Sequence, residues 1–136
     1  MAQRTYPAEL DSLEDMLEFI NEVMVQLGAD RERLFKVRLA AEELLVNIIH
    51  YAYPDSHGEL SIDCSKAEQG EPGVFIEIRD AGIPFNILEK QEPDITQPME
   101  DREIGGLGIF LTRQVMDEIS YEREDGQNIV RMVKRL

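Results

Sequence analysis

Glu43 and Asn47 stand four residues apart in a stretch that reads as helix, so both project from one face about a turn apart. A carboxylate so placed can take a proton from a water or hydroxyl, while the carboxamide oxygen binds a hard cation such as Mg²⁺. An exposed surface pair is the plainer reading of the same spacing. His50 and Tyr51 follow one turn further on, but no second His or Cys lies at metal-binding spacing, which leaves His50 a helix-face histidine. Asp80 ends an apolar run and is followed by Gly82. Its carboxylate could accept from the edge of a base, with the glycine leaving room, or close an Asx turn at a strand end. The third feature is Gly105-Gly106-Leu107-Gly108, just ahead of apolar residues at helical spacing. A helix start offers unpaired N–H groups and the positive end of the dipole, and so suits an anion such as phosphate. A flexible turn entering a core helix would look the same.

The elements that must hold these residues follow from periodicity. Ser12-Leu13-Glu14-Asp15 resembles a capping box, and Leu13, Met16, Leu17, Ile20, Val23, Met24 and Leu27 keep helical spacing up to a stop at Gly28. Asp30 can cap a second helix running to about Ala52, with Leu34, Val37, Ala41, Leu44, Leu45 and Ile48 as its core stripe. Glu59–Cys64 and Val74–Asp80 alternate as strands across a hairpin-like loop at Lys66–Gly73, whereas Tyr6-Pro7 reads only as an extended or turn segment. Asn86–Ile104 has no clear period, and loops of that length are usually functional. After the glycine stretch, Ile109, Phe110, Val115, Met116 and Ile119 recur at helix-like intervals. Ile119–Arg123 and Asn128–Val133, joined by Asp125-Gly126, form a closing hairpin. The expected fold is an α/β (α+β) two-layer sandwich with a mixed, mostly antiparallel sheet, in one domain over residues 1–136.

Composition narrows the partners. A net charge of −14 with no offsetting Lys/Arg cluster argues against direct nucleic-acid or anionic-membrane binding and suits a basic protein partner. No apolar run approaches the roughly 20 residues of a membrane span. The single cysteine, Cys64, cannot form an internal disulfide, which fits a cytoplasmic setting and a packing role in a strand. A chain this acidic can hold a nucleotide only with glycine amides, a helix end or a metal ion.

Several nucleotide motifs are absent: there is no P-loop, no strand-first Gly-x-Gly-x-x-Gly, and no kinase catalytic loop around Arg79-Asp80. What is present, in order, is Glu43-x-x-x-Asn47, Asp80-x-Gly82-x-x-Phe85 and Gly105-Gly106-Leu107-Gly108. This series resembles the ATP-binding fold of the gyrase–Hsp90–histidine-kinase–MutL superfamily. Leu39-Ala40-Ala41-Glu42-Glu43…Asn47…Tyr51-Ala52-Tyr53, with Gly105–Leu111, is similar to the bacterial anti-sigma factor serine kinases, and the similarity runs from about Leu10 to Leu136.

The resemblance implies ATP and Mg²⁺ as cofactors, with Asn47 the magnesium-binding asparagine and Glu43 the general base. Asp80 would accept from the adenine amino group with Gly82 beside the base. Gly105, Gly106, Leu107 and Gly108 would form the phosphate loop, and Asn86–Ile104 a short ATP lid. It implies a serine kinase that phosphorylates an anti-anti-sigma protein and binds a sigma factor. Relatives are commonly homodimers, and the exposed side of Ser12–Leu27 is a candidate contact. The alternatives are an ATP-binding interaction module without transfer and a structural protein that binds no nucleotide. Two departures stand out. Gly126-Gln127-Asn128 lacks the hydroxyl residue that many relatives carry near adenine, and His50 replaces a Lys or other polar residue.

Overall fold

Strands whose apolar residues alternate, and helices with one apolar stripe, each leave a single face to be covered by the other. The computed structural model, which describes residues 2–54, 56–89 and 106–136, resolves this into a sheet with helices against it. In chain order the elements are β1 (Ala2–Pro7), α1 (Leu13–Gln26), α2 (Arg31–Tyr51), β2 (Glu59–Lys66), β3 (Gly73–Asp80), α3 (Gly106–Val115), β4 (Glu118–Glu124) and β5 (Gln127–Arg135). The sheet runs β1-β2-β3-β5-β4. Every pairing among the described strands is antiparallel, so the sheet is not mixed.

Register decides which side chains share the helix-facing side. Leu60, Asp80 and Asn128 form one row, Ile62, Ile78 and Val130 the next, and Cys64, Ile76 and Met132 the third. The second and third rows are fully buried against Met16, Phe19, Leu44 and Leu45 of the helices. Each such side chain contributes about 1.5–3 kcal/mol of transfer free energy. Cys64 is part of this core, and burial pushes its thiol up to about 12, as befits a packing residue. The opposite face is polar: Glu77 accepts from Arg79 at 2.6 Å and from Arg131 at 2.9 Å.

Three local expectations change. Ser12 makes no side-chain cap bond; it closes a 3-10 turn, Leu10–Ser12, that runs directly into α1, so the capping box does not form. Ala2–Pro7 is an edge strand rather than a turn, because pairing with β2 fixes it despite its lack of apolar alternation. α3 stops at Val115, so Met116 of the helix-like series falls beyond it, while Ile119 lies in the closing hairpin as expected. By contrast Asp30 caps α2 as expected, accepting from the Arg33 amide at 2.9 Å. Asp125 and Gly126 both take positive φ, as the two-residue turn of a tight hairpin requires.

The layers are clamped where β3 ends. Ile83 donates its amide to the Ala52 carbonyl at the end of α2, at 2.9 Å. A Cβ on Gly82 would lie 2.2 Å from that oxygen, so the glycine is needed for backbone contact with α2. Gly82→Ala should lower the unfolding free energy by about 1–3 kcal/mol, the usual cost of forcing a methyl into packed space. Urea unfolding checks this, and an unshifted midpoint would show that the turn relaxes freely away from α2.

Candidate functional site

α2 is the spine of the site. Asn47 is buried, and its Nδ2 donates to the Glu43 backbone carbonyl one turn back at 2.8 Å. Only the amide nitrogen can make that bond, so Oδ1 is the atom left to accept, and no described residue donates to it. Glu43 is half-buried on the same helical row. Among the described residues no three His, Cys, Asp or Glu gather as a metal cage. A single hard oxygen beside a carboxylate nevertheless suits Mg²⁺, which takes one or two protein ligands and completes its shell with phosphate oxygens and water.

One turn beyond Asn47, Tyr51 stacks on Phe85 with ring centroids 5.4 Å apart, while His50 is exposed and only edge-on to Tyr51. Phe85 belongs to the segment that leaves β3, so the stack ties that segment to α2.

Asp80 closes β3 on the helix-facing side and is 5% exposed. Its Oδ1 accepts twice at 2.9 Å, from the Gly82 amide and from Asn128 Nδ2. The first bond is the Asx turn; the second was not legible in advance. Asn128 Nδ2 also donates to the Ile83 carbonyl at 2.7 Å, and Asn128 Oδ1 accepts from the Phe85 amide at 3.1 Å and from the Tyr121 hydroxyl. All four hydrogen-bonding positions of that amide are thereby filled. Burial raises the Asp80 carboxyl above the usual carboxylate range, against the opposing pull of Asn128, Gly82 and Arg123.

α3 lies against α2, with Thr112 Oγ1 donating to the Ala40 carbonyl at 3.3 Å. Its direction follows from β5. Lys134 donates to the carbonyl of Val115 at the end of α3, and the carbonyl of the next residue, Arg135, accepts from Arg33 near the start of α2. The two helices therefore run antiparallel. Six residues from Thr112 back to Gly106 and seven from Ala40 on to Asn47 are both a rise of roughly 10 Å. The first turn of α3 is thus directed toward the half of α2 that holds Glu43 and Asn47, and a helix start carries unpaired N–H groups.

The sequence expectations sort accordingly. Glu43 and Asn47 share one row of α2, Asp80 and Gly82 sit at the end of the same helix, and Gly106, Leu107 and Gly108 open α3. On the side where a Cβ would project, Gly82 abuts the Ala52 carbonyl. Gly105 and residues 90–104 of the expected lid lie outside the described residues; of that segment, Ile87 is buried in the core. Sequence reasoning noticed Asn128 only as a missing hydroxyl and passed over Tyr121. The available signal was an Asn in phase with Val130 and Met132, a polar residue on the buried side of a strand.

One five-stranded antiparallel sheet with helices against it places the chain in the α/β class of two-layer folds. Residues 6–134 match the histidine kinase-like ATPase domain family, and the chain belongs to it. It is similar to the serine/threonine-protein kinase BtrW of Bordetella bronchiseptica, at 30% identity over 69% of this chain and 65% of the relative. The serine-protein kinase RsbW of Bacillus thuringiensis is 28% identical over 77% of this chain and 66% of its own length. The chain thus spans about two thirds of the length of these relatives. Among solved structures, that of the RsbU and RsbW domains of Rv1364c from Mycobacterium tuberculosis superposes with a TM-score of 0.63 at 13% identity, over 100% of this chain and 33% of that one. The histidine kinase domain of the Erythrobacter litoralis EL346 blue-light activated histidine kinase gives 0.53 at 16% identity, over 91% and 61%. These two likenesses establish the fold.

Asp80 supplies a pH test with a defined sign. A carboxyl whose folded value is raised contributes stability at low pH that is lost as pH rises through that value. Asp80→Asn keeps an oxygen for Gly82 and Asn128 but removes the buried charge. Its melting temperature should match or exceed the parent's at pH 7, and the gain should vanish on acidification. A melting temperature several degrees lower at pH 7 would show the ionised form to be net favourable.

Proposed function

We propose that this domain binds Mg²⁺-ATP and transfers the γ-phosphoryl group to a serine of a small anti-anti-sigma protein, and that it also binds a sigma factor. Family membership supports ATP as the ligand, and relatives named as serine/threonine- and serine-protein kinases support serine as the acceptor. The observation that carries the reading is the order of groups along α2. Asp80 lies at the helix end for the adenine amino group, Asn47 keeps Oδ1 as its acceptor for the cation, and Glu43 stands one turn before it for the acceptor hydroxyl. The α3 amides from Gly106 to Gly108, with Gly105 and Leu107 in the same loop, would meet the phosphates.

In the transfer, the bond between the γ-phosphorus and the β–γ bridging oxygen breaks and a bond from the serine oxygen forms. The serine proton passes to the Glu43 carboxylate, and ADP leaves with the bridging oxygen. Such a reaction depends on positioning and charge neutralisation more than on covalent help from the protein. Mg²⁺, when bound, supplies part of that neutralisation. The acidity of the surface, including Glu14, Asp15, Glu18 and Glu22 of α1, suits basic protein surfaces as partners. A homodimer through the exposed side of Ser12–Leu27 belongs to the same reading. A cytoplasmic setting completes the reading.

Glu43→Ala should reduce phosphoryl transfer from labelled ATP to an anti-anti-sigma partner at least 100-fold, with nucleotide affinity within a few-fold of the parent. Equal transfer by the variant would sink the assigned role. A parent that binds ATP but phosphorylates no partner would favour the non-catalytic module instead. Gly106→Val and Gly108→Val should each lose nucleotide in calorimetry while keeping the parent's circular dichroism spectrum.

A further inference from the structure

We infer that Asn128 is a positioning residue that sets base specificity, because it occupies Oδ1 of Asp80 and leaves Oδ2 as the only acceptor that carboxylate turns toward a bound base. This rests on the proposed reading that Asp80 meets the purine. The observations are geometric. Oδ1 already accepts from Asn128 and Gly82 at 2.9 Å each, and no described residue donates to Oδ2. Asn128 cannot turn to release it, since its second N–H is held by the Ile83 carbonyl and its oxygen by Phe85 and Tyr121. Both residues are at most 5% exposed and directly opposite each other in the β3–β5 register.

A fixed carboxylate with one open oxygen accepts and does not donate. It therefore welcomes a purine with a 6-amino donor and repels one with a 6-oxo acceptor, so selectivity arises from repulsion as much as from attraction. A hydroxyl residue at position 128 could not do the same. It has one donor, and it could not hold the Asp80 carboxylate and the Ile83 carbonyl together. Asn128 thus fixes both the recognising oxygen and the turn that carries it.

Asn128→Asp tests this, being isosteric while removing both donors. Affinities for Mg²⁺-ATP and Mg²⁺-inosine triphosphate, which differ at the 6-position, are measured by calorimetry on parent and variant. The parent should prefer ATP, and the variant should lose at least tenfold of that preference. Equal weakening toward both nucleotides, or an undiminished preference, would reduce Asn128 to a structural residue and overturn the inference. A parent that binds neither nucleotide overturns the nucleotide reading itself, and the inference with it. Should Asn128→Asp melt below the assay temperature, Asn128→Ser, with a single donor, replaces it: a reduced preference supports the inference and a full one overturns it.

Discussion

The contact on which the molecule depends is the meeting of the Ala52 carbonyl with the Gly82–Ile83 backbone. There the last turn of α2 touches the end of β3 without an intervening side chain. Two layers packed only by apolar side chains can slide by fractions of an ångström, whereas a backbone hydrogen bond in close contact fixes their offset. Asp80 and Asn47 are carried by those two elements, so their separation is set by this junction. The Tyr51–Phe85 stack and the Asn128 amide brace the same segment from the helix and from the sheet.

The division of labour between the faces follows from charge. The helix-facing side of the sheet admits only two polar residues in its last row, Asp80 and Asn128, and they satisfy each other. On the outward face Glu77, Arg79, Arg131 and Glu122 form a chain of ion pairs, while Lys134, in phase with Met132, reaches the Val115 carbonyl at the end of α3. A buried carboxylate is costly unless it is hydrogen-bonded, and the Gly82 amide and Asn128 supply those bonds to Asp80.

Much of this was legible in the sequence because it rests on local rules. Helical spacing gave α1 and α2, Asp30 announced its cap, and Asp125-Gly126 announced the last hairpin. The three short motifs, in order, placed Glu43, Asn47 and Asp80 on the elements that carry them. What stayed hidden depends on tertiary pairing. Ala2–Pro7 becomes a strand only because β2 offers an edge, and Ser12 forfeits its cap to a 3-10 turn. The close approach of Gly82 to the Ala52 carbonyl is likewise tertiary. The role of Asn128 requires knowing that it stands opposite Asp80, which no spacing along the chain reveals.

That last pairing has a kinetic side. Asp80 and Asn128 are 48 residues apart, and the central β3–β5 ladder is built entirely from such distant partners. Hairpins such as β4–β5 can form on their own, but the central ladder must first overcome the entropy of closing a long loop. The segment from residue 81 to residue 127, with α3 inside it, is the loop being closed. The Asp80–Asn128 pair therefore does not exist in any partly folded chain that lacks β5. Completion of the sheet and fixing of the Asp80 carboxylate are one event.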